Sequence, residues 1–388
     1  MEPLSLLPAI AALLVAMAVT RIVARHVTDA ASQGRFSSID GLRGYLAFLV
    51  FLHHSSIWFS YLRTNQWEAP KSNTYAHFGQ SSVALFFMIT GFLFSSKIMA
   101  ERRTGIDWDR LFISRFLRLT PLYIFAMLLL FSIIACISNG KLNEPFPEVV
   151  GSAARWLAFT IPGSPNINGI DETFIIVAGV TWSLPYEWFF YFSLPLLATS
   201  VRSRVPFAYF AVGVMSLAGF VFWQSTPVLM LPFISGIATS ILVRSQLFLR
   251  IAATRAASLL VVAFLVFEVV MFQSAYELLP MLFLSMAFAL IAGGNSVFGI
   301  LTNHVSRAMG ELSYGIYLLH GILLFTVFNL VIGTSSAKNL SPTDHWLVII
   351  AATPPLILGC FLTNKFIERP AMRKTNAVTA WFRSATTQ

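Results

Sequence analysis

Apolar residues run through this chain in long blocks broken by short polar stretches. Blocks of the length a helix needs to cross a bilayer, about 17–25 residues, lie near 4–20, 44–62, 82–99, 116–137, 174–199, 206–222, 227–243, 256–272, 279–294, 313–332 and 346–366. The pattern predicts an all-α, polytopic transmembrane helical bundle of eleven segments. Few polar groups interrupt these blocks, and at such depth a polar side chain is costly enough to be read as functional by default.

Composition agrees, with 56% hydrophobic and only 11% charged residues. The formal charge of +9 acquires meaning once the basic residues are placed by side. If the N-terminus is outside, 21 of the 26 Lys and Arg residues fall on the cytoplasmic side, and only Arg63, Lys71, Lys141, Arg155 and Lys338 fall outside. One miscounted helix would destroy this asymmetry, which follows the positive-inside rule. The charge therefore reports membrane orientation, and no nucleic-acid partner is expected. Met1-Glu2-Pro3 precedes the first block and the arginines follow it, so the first segment is predicted to be a retained helix, N-terminus outside and C-terminus of the chain cytoplasmic. Cys136 and Cys360 offer neither a disulfide framework nor a metal-ligand spacing, and no metal is expected. The longest loop, about 138–173, is rich in Pro and Gly and lies outside, where long loops often serve as lids or acceptor-binding elements.

The most informative polar stretch is Ser37-Ser38-Ile39-Asp40-Gly41-Leu42-Arg43-Gly44, which enters a span carrying His53-His54. Arg43 and His54, eleven residues apart, share one helix face about 16 Å apart, and His53 points about a quarter-turn away. With Arg43 at the water boundary, His54 reaches the midplane. The alternative is structural: a capping box from Ser37 and Asp40, a snorkelling Arg43, and a His54 that bonds a neighbouring helix.

Four more constellations follow. Arg115 and Arg118 enter the fourth span three residues apart, and their planar forks suit a phosphorylated ligand; ordinary anchoring explains most of the surrounding basic residues. Trp182-Ser183-Leu184-Pro185-Tyr186-Glu187 places a carboxylate in the outer half of an aromatic span, where Glu187 could orient a histidine, receive a proton, bind an acceptor hydroxyl or make a structural bond. Tyr317 and His320, three apart in the tenth span, lie beside Gly315 and Gly321, which suit close helix packing; packing is the first reading and catalysis by His320 the second. Ile367-Glu368-Arg369-Pro370 reads as an acid and base pairing locally where a helix terminates. Glu268, among aliphatic neighbours, reads as structural or is left unassigned.

These motifs, in this order and at these membrane levels, resemble the acyltransferase-3 family of integral membrane acyltransferases, from about 36 to 370. The resemblance also rests on Gly79 and on Gly91-Phe92-Leu93. It implies about ten core helices plus one extra N-terminal helix. The division expected is residues 1–34 as that helix with a cytosolic connector, 35–370 as the membrane domain, and 371–388 as a short cytosolic tail. The tail after Pro370 is read as too short for the periplasmic esterase-like domain that many lipopolysaccharide-modifying relatives carry, so none is expected. The resemblance implies transfer of an acyl group, usually acetyl, from cytosolic acyl-CoA to a hydroxyl of a cell-envelope glycan such as lipopolysaccharide O-antigen or exopolysaccharide, free or lipid-linked. The setting would be a bacterial cytoplasmic membrane, with acyl-CoA as co-substrate and no permanently bound cofactor. Arg43 and His54 match the family's essential pair. Glu187 joins them as a catalytic candidate; Arg115, Arg118 and Arg43 would hold the CoA phosphates; Asp40, Trp182, Ser183, Tyr317 and His320 are further candidates. His54 could serve as general base or as nucleophile. Rival readings are a small-molecule or lipid O-acyltransferase, a scaffold for glycan polymerases, and a transporter or flippase, against which the chain shows no convincing pair of the matched half-repeats that many transporters display.

Overall fold

The computed structural model describes residues 4–27, 36–223 and 226–386. In chain order the helices are α1 (Leu6–Val27), α2 (Ser37–Thr64), α3 (Asn73–Glu101), α4 (Trp108–Ile137), α5 (Phe146–Leu157), α6 (Ser183–Ser200), α7 (Phe207–Phe222), α8 (Leu231–Leu242), α9 (Gln246–Ala252), α10 (Arg255–Met271), α11 (Leu278–Ala292), α12 (His304–Glu311), α13 (Ser313–Phe325), α14 (Thr334–Lys338), α15 (Pro342–Thr363), α16 (Arg369–Arg373) and α17 (Thr375–Thr386). Among the described residues the sole β element is an isolated bridge between Ile167 and Ile170. The protein is an all-α polytopic bundle.

Every one of the eleven predicted segments contains a helix, but they differ in length. Six helical stretches are long and apolar enough to span alone, and a seventh arises if α8, with the turn before it, and α9 are one span bent by 109°. Helices α7 and α11 are apolar but shorter. Starts are marked by capping side chains: Ser72, Asp107, Thr254, Asn303 and Ser341 each accept the backbone N–H three residues on, satisfying donors that a first helical turn leaves open. The alternative reading, a capping box of Ser37 and Asp40, does not form: Phe36 is the N-cap, without a side-chain bond. The neighbouring Ser38 hydroxyl reaches across to the carbonyl of Ile291 at 2.9 Å.

The glycines of the Asp-Gly-Leu-Arg-Gly motif explain how α2 is seated. A Cβ on Gly41 would collide with the Leu301 carbonyl oxygen, and one on Gly310 of α12 would collide with the carbonyl oxygen of Asp40. Backbone meets backbone here, so α12 fixes the depth and rotation of α2 and hence the heading of Arg43 one turn further along. Around this contact, α2 also packs on α3 and α13, and α3 packs on α8.

Two predicted features differ. The span expected over 174–199 is helical only from Ser183. Residues 173–182 form two short 3₁₀ turns, with Glu172, Ala178 and Gly179 at positive φ. This irregular backbone is tolerated because it is covered by protein: Thr173, Val177, Val180 and Thr181 are buried, and a side chain on Gly321 of α13 would strike the backbone of Val177. The helix expected to end at Pro370 instead continues. Asn364–Glu368 makes a π turn that runs directly into α16 with Pro370 as its second residue, so the wider turn takes up the proline within a continuous helical run. Arg369 does not pair with Glu368 but donates to the carbonyl of His26 at 3.1 Å.

The long stretch after α4 is ordered by its own polar groups. Asn168 accepts the Asn143 N–H at 2.7 Å and donates to the carbonyl of Lys141 at 2.8 Å, and the Trp156 indole donates to Pro165 at 2.9 Å.

Glu268 is structural in a specific way. His77 of α3 lies 3.1 Å from its carboxylate, Ser81 donates to it at 2.9 Å, and the other imidazole nitrogen meets the Phe272 carbonyl at 2.8 Å. The cluster clamps α10 to α3. Removing one partner of a buried pair strands the other, so Glu268→Ala is expected to destabilise the fold by about 3–5 kcal/mol. A wild-type unfolding midpoint for the detergent-solubilised variant would show that the clamp carries no such load.

Candidate active site

Three arginines and one carboxylate converge on a cavity of about 290 Å³ between α2, α3, α4, α6 and α13. Arg43 comes from α2, Arg115 and Arg118 from α4, and Glu187 from α6; Ser183 and Tyr317 complete the predicted members of the lining. The rest is largely aromatic and aliphatic, including Phe86, Phe87, Leu93 and Phe94. Spacing sets the delivery: Arg115 and Arg118, three apart, leave α4 on one side, and Pro121 is accommodated inside that helix.

Each charged group has distinct surroundings. Glu187 accepts hydrogen bonds from Thr90 at 3.2 Å and Tyr191 at 3.3 Å. The Arg115 guanidinium lies 5.2 Å from the centre of the Phe94 ring, and its buried Nε has no partner among the described residues. Arg118 donates to the thioether of Met372 at 3.4 Å, a weak acceptor. No hydrogen bond from Arg43 to a described residue is formed. Three cationic forks facing one carboxylate give the cavity an excess of positive charge and unspent donors, which is a setting for an anion.

Beyond the cavity the polar groups continue along α13. The Tyr317 hydroxyl bonds Ser183 Oγ at 2.8 Å and the Val180 carbonyl at 2.9 Å, tying the start of α6 to α13. One turn further, His320 Nε2 lies 3.0 Å from His54 Nδ1. His320 Nδ1 sits 2.8 Å from the Ile316 carbonyl, an acceptor only, so that nitrogen carries the proton and Nε2 presents a lone pair. His54 Nδ1 must then supply the hydrogen, which it shares with the Val50 carbonyl at 3.1 Å. In the neutral pair, His54 Nε2 is left as the unprotonated nitrogen. No described residue bonds it. Trp67 lies nearly parallel to the His54 ring at 6.2 Å between centroids.

A family model described as an acyltransferase domain matches residues 36–365. The chain belongs to the acyltransferase-3 family. It is also similar to the acyltransferase MdmB of Streptomyces mycarofaciens, 25% identical over 391 residues, covering 87% of this chain and 92% of that protein. No solved structure matches. With its long apolar helices, the protein is a multi-pass membrane acyltransferase.

Within this acyltransferase most of the predicted residues form two groups, with Asp40 and Trp182 outside both. Arg43, Arg115, Arg118, Ser183, Glu187 and Tyr317 share the cavity; His54 and His320 form a pair beyond Tyr317 and do not line it. His53 turns to α3, where its Nδ1 meets the Tyr75 carbonyl at 2.7 Å. Asp40 is one turn before Arg43 at the α2–α12 contact and outside the lining. Trp182 also lies outside it, 37% exposed and edge-on to Phe87, Tyr186 and Tyr276.

Glu187 sits with the arginines, not in an outer half near the histidines. The cause is the irregular 173–182 segment, which starts α6 inside the protein and carries Glu187 toward the arginine end. The partner of His54 is therefore His320. Thr90, Tyr191 and Tyr314 also line the cavity and were not anticipated. Tyr191 is four residues from Glu187, a spacing that puts both on one side; Thr90 is the single hydroxyl in an apolar run from Val83 to Phe94.

Proposed function

We propose that this protein is an integral membrane O-acyltransferase that moves an acyl group, acetyl by preference, from acyl-CoA to a hydroxyl of a cell-envelope glycan. The observation that carries the reading is the sequence of groups from Arg43, Arg115 and Arg118, around one cavity, through Tyr317 to the His320–His54 pair. Three guanidiniums suit the phosphate-bearing donor, and a histidine with an unprotonated Nε2 suits proton transfer from an acceptor hydroxyl. The uneven distribution of Lys and Arg supports placing the arginine end in the cytosol of a bacterial cell, with the N-terminus outside.

In this mechanism the donor enters from the arginine end and extends its thioester toward the histidines. His54 Nε2 takes the proton of the acceptor hydroxyl as its oxygen attacks the thioester carbonyl. The carbon–sulfur bond then breaks, and the thiolate recovers the proton from His54, so ester and free thiol leave. His320 acts through His54: it holds the Nδ1 hydrogen and thereby the orientation of the ring. Glu187, held by Thr90 and Tyr191, is a countercharge for the arginines. The acceptor would approach from the end bearing Trp67 and the ordered 138–173 segment.

Transfer of radiolabelled acetyl from acetyl-CoA to purified envelope glycan, by membranes with and without the protein, tests the reading. Alkali-labile label on the glycan only when the protein is present is the expected outcome. Label appearing on a lipid or small molecule instead would replace the acceptor, and no protein-dependent label would remove the donor.

A further inference from the structure

A second cavity adjoins the first at its arginine end. It has a volume of about 500 Å³ and is lined by Lys97 from the end of α3, Arg110, Ser114 and Arg115 from α4, and Met372, Arg373, Thr375 and Asn376 from the C-terminal helices. Arg115 lines both cavities. Four basic side chains and no acidic one surround it, and the volume is that of a small-molecule site.

One wall of this cavity is made by residues beyond the matched 36–365 region. Helices α16 and α17 form an arm that packs against α4. The arm is clasped by Arg383, which pairs with Asp107 and, at 2.9 Å, with Asp109; Asp109 also accepts from Tyr209 of α7. Through this clasp the arm holds Arg373, Thr375 and Asn376 opposite Lys97 and Arg110.

We propose that the second cavity binds the nucleotide head of the acyl donor, an adenosine bearing 3′- and 5′-linked phosphates, and that the C-terminal arm is a working wall of this site. The inference rests on the acyl-CoA reading above. Its own support is geometric. An extended ligand with several phosphates at one end and a thioester at the other fits two cavities that share Arg115 in their linings. Lys97, Arg110 and Arg373 would meet the 3′-phosphate, and Arg115, Arg118 and Arg43 the 5′-linked diphosphate that leads to the first cavity, with charge-assisted bonds, while Ser114, Thr375 and the Asn376 amide offer donors and acceptors to ribose and base. A phospholipid headgroup offers the same phosphate chemistry, but it would not need a second cavity on the other side of Arg115.

Equilibrium binding of adenosine 3′,5′-bisphosphate and of acetyl-CoA to the full chain in detergent tests the proposal. Loss of two charge-assisted contacts in Lys97→Ala/Arg373→Ala is expected to weaken bisphosphate binding about tenfold or more. Arg102→Ala/Arg103→Ala removes the same charge from the same end without touching the lining, and is expected to stay within about twofold. Arg383→Ala, which releases the arm, is expected to weaken binding with no lining residue changed. Equal losses in the two double variants would reduce the site to a general basic field and overturn the proposal. So would unchanged binding in Lys97→Ala/Arg373→Ala, or competition by phosphatidylglycerol micelles as strong as that by the bisphosphate. If wild type binds neither acetyl-CoA nor the bisphosphate, the acyl-CoA reading itself falls; if it binds acetyl-CoA and only the arm variants are silent, that reading stands and the nucleotide site does not.

Discussion

His54→Ala is expected to lower acyl transfer at least about a hundredfold, the scale of losing a positioned general base, with the protein still present in the membrane at wild-type abundance. The two arms of this expectation have separate causes. Activity falls because Nε2 is the nitrogen that the His320–Ile316 chain of hydrogen bonds leaves unprotonated. Abundance holds because His54 makes a single side-chain partnership across helices and is only partly buried, while the α2 anchor lies three turns away at Gly41 and Gly310.

Neighbouring substitutions separate this role from packing. His53 bonds the Tyr75 backbone and fills the space over Gly79, so His53→Ala should lose stability more than turnover. His320→Ala should lower kcat by less than His54→Ala, and His320→Gln should recover part of the loss, because an amide oxygen can accept the Nδ1 hydrogen that His320 accepts. Quantifying transferred acetyl per mole of membrane protein across this set decides the matter. A dead His53→Ala beside an active His54→Ala would reverse the assignment of the two faces.

The helical bundle was legible because burial in lipid forces backbone groups to satisfy one another, and helix is the one local solution. Apolar length therefore located a helix in every predicted segment. The face arithmetic that separated His54 from His53 was legible for the same reason, since a regular helix converts spacing into direction. What spacing could not convey was where regularity stops. The 3₁₀ turns at 173–182 look apolar and continuous in sequence, yet they decide that Glu187 joins the arginines. The pairing of His54 with His320 spans 266 residues and depends on the tilt of α13, which no local pattern records. Pro370 misled in the opposite direction, since a π turn just before it lets the helical run continue through the proline.

Arg43→Ala is expected to cost about 10²-fold in kcat/KM, the scale of a bound donor left misplaced by a change remote from the chemistry, and to leave the fold at least as stable as wild type. Arg43 differs from the other two arginines in having its donors uncommitted. Arg115 is engaged by Phe94 and Arg118 by Met372, whereas Arg43 faces the cavity with no hydrogen bond to a described residue. A cation buried beside two others carries a desolvation and repulsion cost that Glu187 in the lining and the nearby Asp40 and Glu311 offset only in part, so its removal relieves strain that the ligand otherwise offsets. Arg43→Lys retains the charge but loses the planar fork, and should recover donor binding more than turnover. Donor KM and kcat measured separately for Arg43→Ala, Arg43→Lys and Arg118→Ala give the decision. Arg118→Ala should act mainly on KM, as an anchor at the entrance would. If Arg43→Ala turns over normally and melts at a lower temperature, its guanidinium is a strut between helices, and the anion site belongs to α4 alone.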